Sequence, residues 1–211
     1  MSSRSPRTTV APHALALVAL LFALEPAAQP KLVKVPGKRF SKGLYTAPDG
    51  EFALRFSEWL LPGGRANEQQ VAASTRGVLI TDDFGGAYSV MRTIDAPDSI
   101  TVEKIADSFT VNELLREKRI VSTNRGEELR MLGVDPAGSP MVSRTREGSG
   151  WVERRNHLYS ALSIFLDHGA IYRVTAGVTP LGGESEAIMF ERATRKLEQM
   201  LSGLEIRGPV R

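Results

Sequence analysis

The chain has 211 residues, a formal net charge of +3, a sequence pI of about 9.3 and no cysteine. The lack of cysteine excludes disulfide bonds, thiolate chemistry and the lipid-bearing cysteine of a bacterial lipoprotein. Acidic and basic residues nearly balance, at 24 and 27. The composition therefore does not favour nucleic-acid binding, which depends on a clustered basic face.

The N-terminal segment has the pattern of a secretory signal. Arg4 and Arg7 precede an apolar run over residues 14–24, and Ala27 and Ala28 supply the small residues of a cleavage site. The run is shorter than the about 20 apolar residues of a membrane-spanning helix. We predict a signal peptide over residues 1–28 and a periplasmic or secreted protein, with an uncleaved membrane anchor as the alternative.

Residues 29–44 are rich in proline, glycine and lysine and have no apolar period, which predicts a basic flexible linker. Its basic residues are Lys31, Lys34, Lys38, Arg39 and Lys42. They indicate a solvated segment, or a weak contact with an anionic membrane surface or an acidic partner. A single domain is expected over residues 45–206, followed by a C-terminal tail over residues 207–211.

The first half of the domain alternates strand and turn patterns. Apolar residues at Phe52, Leu54 and Phe56 predict a half-buried strand. The β-rich segments 78–81 and 87–94 flank the turn sequence 82–86 and predict a hairpin. An apolar stripe over Val102, Ile105, Ala106, Phe109 and Leu115 then predicts a helix from Thr101 to Lys118, capped by Asp98 or Ser99.

The second half is predicted as a meander followed by a helix. Strands are expected at 120–121, 128–134, 141–146, 151–166 and 170–178. A last helix begins after Ser185, carries apolar residues at 188, 189, 197, 200 and 201, and ends at Gly203 as a C′ residue. A short strand over residues 204–206 closes the chain.

This order predicts an α+β fold in which two long helices cover an antiparallel sheet. We expect a core that includes Phe52, Leu54, Phe56, Val90, Phe109, Leu162, Ile164, Ile171, Val174 and Leu197.

The order of elements resembles a known family. The chain is similar in four features to the PsbP/Mog-like α/β/α sandwich. An aromatic residue and an Asp-Gly turn precede an early strand (Tyr45, Asp49-Gly50, Phe52), and a mid-chain helix and a long meander follow. A late helix then ends at a glycine that leads into a short strand (200–206). The resemblance covers about residues 45–206. It implies a binding or assembly role rather than catalysis, and it transfers no catalytic residue. Many exported bacterial relatives of DcrB type are lipoproteins, and this chain lacks their cysteine.

No sequence motif indicates a cofactor or a metal. Gly148-Ser149-Gly150 is not followed by the third glycine of a dinucleotide-binding loop, and a phosphate-binding Gly-Lys-Ser/Thr is absent. Beyond the signal there are two histidines, His157 and His168, whereas a structural zinc needs about four nitrogen or sulfur ligands. We predict no cofactor, no metal site and no catalytic residue.

One predicted strand face gathers several binding groups. Alternation along the segment 151–166 places Trp151, Arg155, His157 and Tyr159 on one side, together with Glu153. Such a face can hold an anionic or planar ligand through cation, ring and hydrogen-bond contacts. The competing interpretation is a polar sheet face with cross-strand ion pairs.

The sequence therefore favours an exported, non-enzymatic binding or assembly protein. One alternative is a carrier of a small amphipathic or lipid-like ligand, which would need an apolar pocket between sheet and helix. The second alternative is a hydrolase in which His157 is the base, which would need a serine hydroxyl within hydrogen-bond distance of it.

Overall fold

The computed structural model describes residues 31–34, 40–41, 43–56, 64–112, 114–135, 142–147, 150–155 and 157–208. The elements in chain order are β1 Lys31–Lys34, β2 Phe40–Ser41, β3 Leu44–Thr46, β4 Phe52–Arg55, β5 Arg65–Ala72, β6 Thr75–Thr81, β7 Ala87–Thr93, α1 Val102–Asp107, β8 Leu115–Thr123, β9 Gly126–Asp135, β10 Val142–Glu147, β11 Gly150–Arg155, β12 Leu158–Asp167, β13 Ala170–Val178, α2 Glu186–Gly203 and β14 Leu204–Ile206. The predicted signal over residues 1–28 lies outside the described residues. Across the described ranges, no helix has the length and apolarity to cross a membrane.

The strands form three antiparallel sheets. The large sheet has eight strands in the order β1-β5-β6-β7-β13-β12-β9-β8, a smaller one has the order β14-β4-β3-β2, and β10 and β11 form a two-stranded sheet of their own. The predicted α+β class with a large antiparallel sheet is therefore confirmed. Two short strands, β1 and β2, lie within the segment for which the sequence predicts a linker, and β1 pairs with β5 over four residues.

The prediction of two long helices is wrong, because the mid-chain helix is short. The helix α1 begins after Thr101, whose Oγ1 accepts a hydrogen bond from Lys104 N at 3.3 Å, and it ends at Asp107. Of the apolar stripe, only Val102, Ile105 and Ala106 are helical, and Phe109 packs with them from beyond the end of α1. Lys118, predicted to end the helix, lies in β8 and donates to the carbonyl oxygens of Ala106 and Phe109 at 2.8 and 2.5 Å.

The last helix forms as predicted, although Gly203 has a different role from the one expected. Gly203 is the last helical residue and does not adopt the left-handed conformation of a C′ glycine. A Cβ atom at this position would collide with the carbonyl oxygen of Arg55. The glycine is therefore required by the close approach of α2 to the end of β4, where the small sheet joins the helix.

The two faces of the large sheet carry two separate cores. One face packs against α2 and the small sheet, where Phe52 contacts Tyr172 edge-on with ring centroids 6.4 Å apart. The other face packs against Val102 and Ile105 of α1 and against Phe109, two residues after its end. All ten predicted core residues are buried. The strand over residues 52–55 is buried on both faces, not half-buried, because Glu51 and Ala53 are buried as well.

Candidate functional site: the hairpin end of the large sheet

Exposed apolar side chains concentrate at one end of the large sheet. This is the end where β9 finishes at Asp135 beside the start of β12 at Leu158, and we call it the hairpin end because the β10–β11 hairpin is inserted there. The described residues contain eight exposed large apolar side chains, and five of them lie here. These five are Phe84, Val111, Leu114, Leu181 and Ile188.

Pairing across the sheet establishes that these residues share one end. Ala87 at the start of β7 pairs with Gly177 near the end of β13, and Tyr159 near the start of β12 pairs with Val178. Leu115 at the start of β8 pairs with Gly133 near the end of β9. The turn after β6, the loop after β13, the start of α2 and the start of β8 therefore all lie at the hairpin end.

The turn that carries Phe84 is held by one aspartate. Oδ1 of Asp82 accepts hydrogen bonds from Phe84 N at 2.9 Å and Gly86 N at 2.7 Å, and Oδ2 accepts one from the Tyr88 hydroxyl at 2.8 Å. A Cβ atom on Gly86 would collide with both Asp82 and Tyr88. Because the backbone is fixed on both sides, the 51% exposed side chain of Phe84 is held outside the core.

Hydrogen bonds to side chains also hold the adjacent loop after β13. Thr179 donates from its hydroxyl to the carbonyl oxygen of Phe84 at 3.0 Å, which joins the two loops. Oε2 of Glu184 accepts from Leu181 N at 2.7 Å and from Nη1 of Arg192 at 2.6 Å. Arg192 lies one helical turn after Ile188 in α2. Hydrogen bonds therefore hold the loop that carries Leu181 and join its start to the turn that carries Phe84.

The entry to β8 is fixed by an asparagine. Oδ1 of Asn112 accepts hydrogen bonds from the backbone N–H groups of Leu114 and Leu115, both at 2.8 Å. The carbonyl oxygen of Leu114 accepts from Val134 N at 2.7 Å. The exposed side chains of Val111 and Leu114 are thus held next to the point where β9 leaves the sheet.

Several ionisable groups at this end are engaged by other groups of the fold. Burial, and then the neighbouring Asp82 carboxylate, raise the pKa of Tyr88 far above its usual range, so Tyr88 stays a hydrogen-bond donor to Asp82. Burial lowers the pKa of Lys196 although Asp82 opposes this, and its Nζ lies 5.8 Å from the centre of the Tyr88 ring. Glu186 lies 3.5 Å from the Arg116 guanidinium.

The four residues of the predicted ligand face do not belong to one strand. β11 ends at Arg155 and β12 begins at Leu158, so Trp151 and Arg155 lie in the two-stranded sheet while Tyr159 lies in the large sheet. The side chains of Trp151 and Arg155 are outside the described part of the structure. His157 is exposed between the two strands. The sequence pattern did not reveal this break, because residues 151–166 are β-forming on both sides of it.

The ring of Tyr159 contacts the helix α2. Its ring meets Phe190 of α2 edge-on, with centroids 5.4 Å apart and planes at 80°. A groove of about 260 Å³ lies between α2 and strands β8, β9 and β12. Charged residues on the groove walls include Glu117, Arg119, Arg130 and Glu198. The lining also includes apolar residues such as Met131, Leu162 and Leu197, so the groove walls are mixed in character.

A second cleft of about 250 Å³ separates the small sheet from strands β1, β5 and β6. The Tyr45 hydroxyl donates across it to Glu68 at 3.1 Å. At its edge, Arg76 contacts both Asp49 and Glu51. Polar links therefore join the two sheets across this cleft. In the described portion of the chain, no group of histidine, aspartate or glutamate side chains is arranged to hold a metal ion.

Phe84 and Leu181 were not among the predicted site residues, since both lie in segments identified as turns or loops. In each case the neighbouring residues contained an indication that the side chain is exposed. Phe84 is the one apolar residue between two aspartates and two glycines, and Leu181 stands between Pro180 and Gly182. A large apolar residue at the centre of a turn cannot reach the core from there, and this pattern indicates an exposed contact.

Comparison with known proteins gives a likeness of fold. No family model and no curated protein matches the chain. The solution structure of cyanobacterial PsbP (CyanoP) from Synechocystis is similar to 78% of this chain over 91% of its own length, with 9% identity and a TM-score of 0.47. A crystal structure from Bacteroides thetaiotaomicron matches 78% of this chain at 12% identity and a TM-score of 0.42, and this chain spans about half (48%) of its length. The comparison thus finds a PsbP protein, the family named from the order of elements, among the structures to which this chain is similar.

Proposed function

We propose that this protein is an exported, non-enzymatic binding or assembly protein that contacts its partner through the hairpin end. The observation that supports this proposal is the group of braced, exposed apolar side chains at that end. Five of the eight exposed large apolar side chains of the described residues lie at this end, and a concentration of exposed apolar groups favours an interaction surface. The hydrogen bonds from Asp82, Thr179 and Glu184 hold the loops in place, so little conformational entropy is lost on binding.

Export is part of the proposal and has its own test. If residues 1–28 are a cleaved signal, the mature chain begins near Gln29 in the periplasm or the medium. N-terminal sequencing of the protein from fractionated cells measures this directly. An intact Met1 on a cytosolic protein would contradict export while leaving the binding surface open to a cytosolic partner.

The binding surface is tested by site-specific photo-crosslinking in intact cells. A benzophenone side chain is placed at Phe84, at Leu181 and, as the matched control, at Val71. Val71 is as exposed as Leu181, at 49%, but it lies near the β5–β6 turn at the other end of the sheet. We expect the same adducts, protein or lipid, from positions 84 and 181 and none of them from position 71.

The double variant Phe84→Ser with Leu181→Ser should lose these contacts, while Val71→Ser keeps them. Identical adducts from all three positions, or none from positions 84 and 181 in a folded protein, would remove the support for binding through the hairpin end.

A further inference from the structure

The β10–β11 hairpin has one face that is rich in arginine. Val142 pairs with Arg155, Arg144 with Glu153 and Arg146 with Trp151. Because alternate residues of paired strands share a face, one face of the hairpin holds Val142, Arg144, Arg146, Trp151, Glu153 and Arg155. Two of these residues were predicted to bind a ligand, and the register adds Arg144 and Arg146 to the same face. We call it the Arg/Trp face.

The hairpin is joined to the end of the sheet that carries the exposed apolar loops. Asp135, the last residue of β9, pairs with Leu158, the first residue of β12. The chain between these two residues therefore leaves and re-enters the large sheet at one point. The same end carries Phe84 and Leu181, so a cationic hairpin and an apolar patch share one end of the molecule.

The two features together match the chemistry of a membrane surface. Arginine binds phosphate through paired hydrogen bonds, and tryptophan concentrates at the boundary between headgroups and acyl chains. The hairpin strands contain four arginines against two glutamates. The carboxylates of Asp82, Glu184 and Glu186 at the same end are already engaged by groups of the fold.

We infer that the hairpin end docks on an anionic phospholipid surface, with the Arg/Trp face at the headgroups and Phe84 and Leu181 in the interface. This inference rests on the proposed binding function and names the partner. A protein partner would use the same patch without requiring phosphate contacts, and the experiment separates the two.

The experiment uses the mature full-length chain and vesicles of phosphatidylcholine, with or without 30 mol% phosphatidylglycerol. Co-sedimentation gives the partition coefficient. Since the chain has two tryptophans, Trp59 and Trp151, a Trp59→Phe background makes the fluorescence report Trp151 alone. We expect binding to the anionic vesicles with a blue shift of Trp151 emission, weaker binding at 0.5 M salt, and little binding to the neutral vesicles.

Variants then locate the contact. The triple substitution Arg144→Gln, Arg146→Gln and Arg155→Gln should lower the partition coefficient by roughly tenfold or more. The matched control is Arg119→Gln, Arg195→Gln and Arg207→Gln, which removes the same charge from exposed arginines outside the hairpin and should change partitioning much less. The triple Arg→Lys variant at the hairpin positions keeps the charge and should keep most of the binding. Circular dichroism verifies that each variant is folded.

Equal losses in the two glutamine triples would show a general charge effect and overturn the inference. No preference for anionic vesicles would also overturn it, as would heparin binding of equal strength and equal variant dependence, which would identify a soluble polyanion. If vesicles do not bind while positions 84 and 181 still crosslink to proteins, the lipid inference fails and the proposed binding function stands.

Discussion

The two ends of the large sheet place side chains in opposite, unusual environments. At the hairpin end, apolar side chains such as Phe84 and Leu181 are held out in solvent. At the opposite end, charged side chains are held inside. Glu128 is fully buried and accepts hydrogen bonds from Thr123 at 2.8 Å, Ser163 at 3.0 Å and Arg130 at 2.9 Å. Each arrangement runs against the usual distribution of polar and apolar groups, so each needs its own physical reason.

At the opposite end, ion pairs of buried carboxylates join separate elements of the fold. Arg125, in the turn between β8 and β9, pairs with Glu128 and also donates to the carbonyl oxygen of Leu201 near the end of α2 at 3.1 Å. Glu51 similarly accepts from Arg92 at 2.7 Å and joins the small sheet to the large one. Buried charges that are fully paired tie separate elements into one geometry. One end therefore joins separate elements through buried ion pairs, while the other carries exposed apolar side chains on hydrogen-bonded loops.

The largest effect is expected from Glu128→Ala at the opposite end. It leaves the Arg125 and Arg130 guanidiniums without their buried carboxylate, which should lower the free energy of unfolding by about 3–5 kcal/mol. Chemical denaturation measures the change. The neighbouring exposed residue provides the control, since Glu127→Ala should shift stability by less than about 0.5 kcal/mol. Similar small losses for both variants would mean that the buried network does not stabilise the fold.

Acid should weaken the opposite end through the same carboxylate. Burial raises the pKa of Glu128, but hydrogen bonds from Thr123 and Ser163 and the charges of Arg130 and Arg125 outweigh it, so the pKa lies below its ordinary value. A carboxyl with a lowered folded-state pKa stabilises the protein above its unfolded-state pKa, and this contribution is lost as the pH falls through the folded-state pKa.

Denaturation between pH 6 and pH 2 should therefore show a steeper loss of stability for the wild type than for Glu128→Gln, which cannot titrate at this position. The exposed control Glu191→Gln should follow the wild type. Parallel curves for the wild type and Glu128→Gln would contradict the assignment of acid sensitivity to this group.

A smaller loss is expected from Tyr88→Phe at the hairpin end. The change removes the hydroxyl that donates to Asp82 and leaves the rest of the ring in place. A hydrogen bond to a charged group contributes about 1.5–3 kcal/mol, and thermal unfolding measures its loss. Tyr159→Phe is the control because it keeps the ring that meets Phe190 edge-on and removes only the hydroxyl. A Tyr88→Phe variant as stable as the wild type would show that Asp82 alone holds the Phe84 turn.

The smallest effect on stability should come from the exposed loops themselves. Phe84→Ala should change the free energy of unfolding by less than about 0.5 kcal/mol, because a half-exposed side chain makes few core contacts. The same substitution in the core is the contrast: Phe109 is 8% exposed, and Phe109→Ala should cost about 3–5 kcal/mol. Equal costs at the two positions would mean that Phe84 is a packing residue, which would weaken the comparison between the two ends.

Local patterns predicted the elements that local residues determine. The hairpin over residues 164–174 formed as predicted because His168 and Gly169 both adopt positive φ, at 47° and 69°, which suits a two-residue turn. β5 was missed because its sequence, RANEQQVA, is polar and reads as a loop. It is a strand because β6 pairs with it along its length. Pairing with a neighbouring strand cannot be recognised from the residues of β5 alone.

The sequence by itself determined the α+β class, the ten core positions, the β6–β7 and β12–β13 hairpins and the helix α2, because these depend on apolar periodicity and turn chemistry within about 20 residues. Tertiary structure decided the rest. It stopped α1 at Asp107, where Lys118 from β8 caps the last carbonyl groups. It also broke the segment 151–166 into β11 and β12, and it gathered Phe84, Leu114 and Leu181 at one end of the sheet. Strand order and register bring these distant residues together, and neither can be read from the neighbours of a residue along the chain.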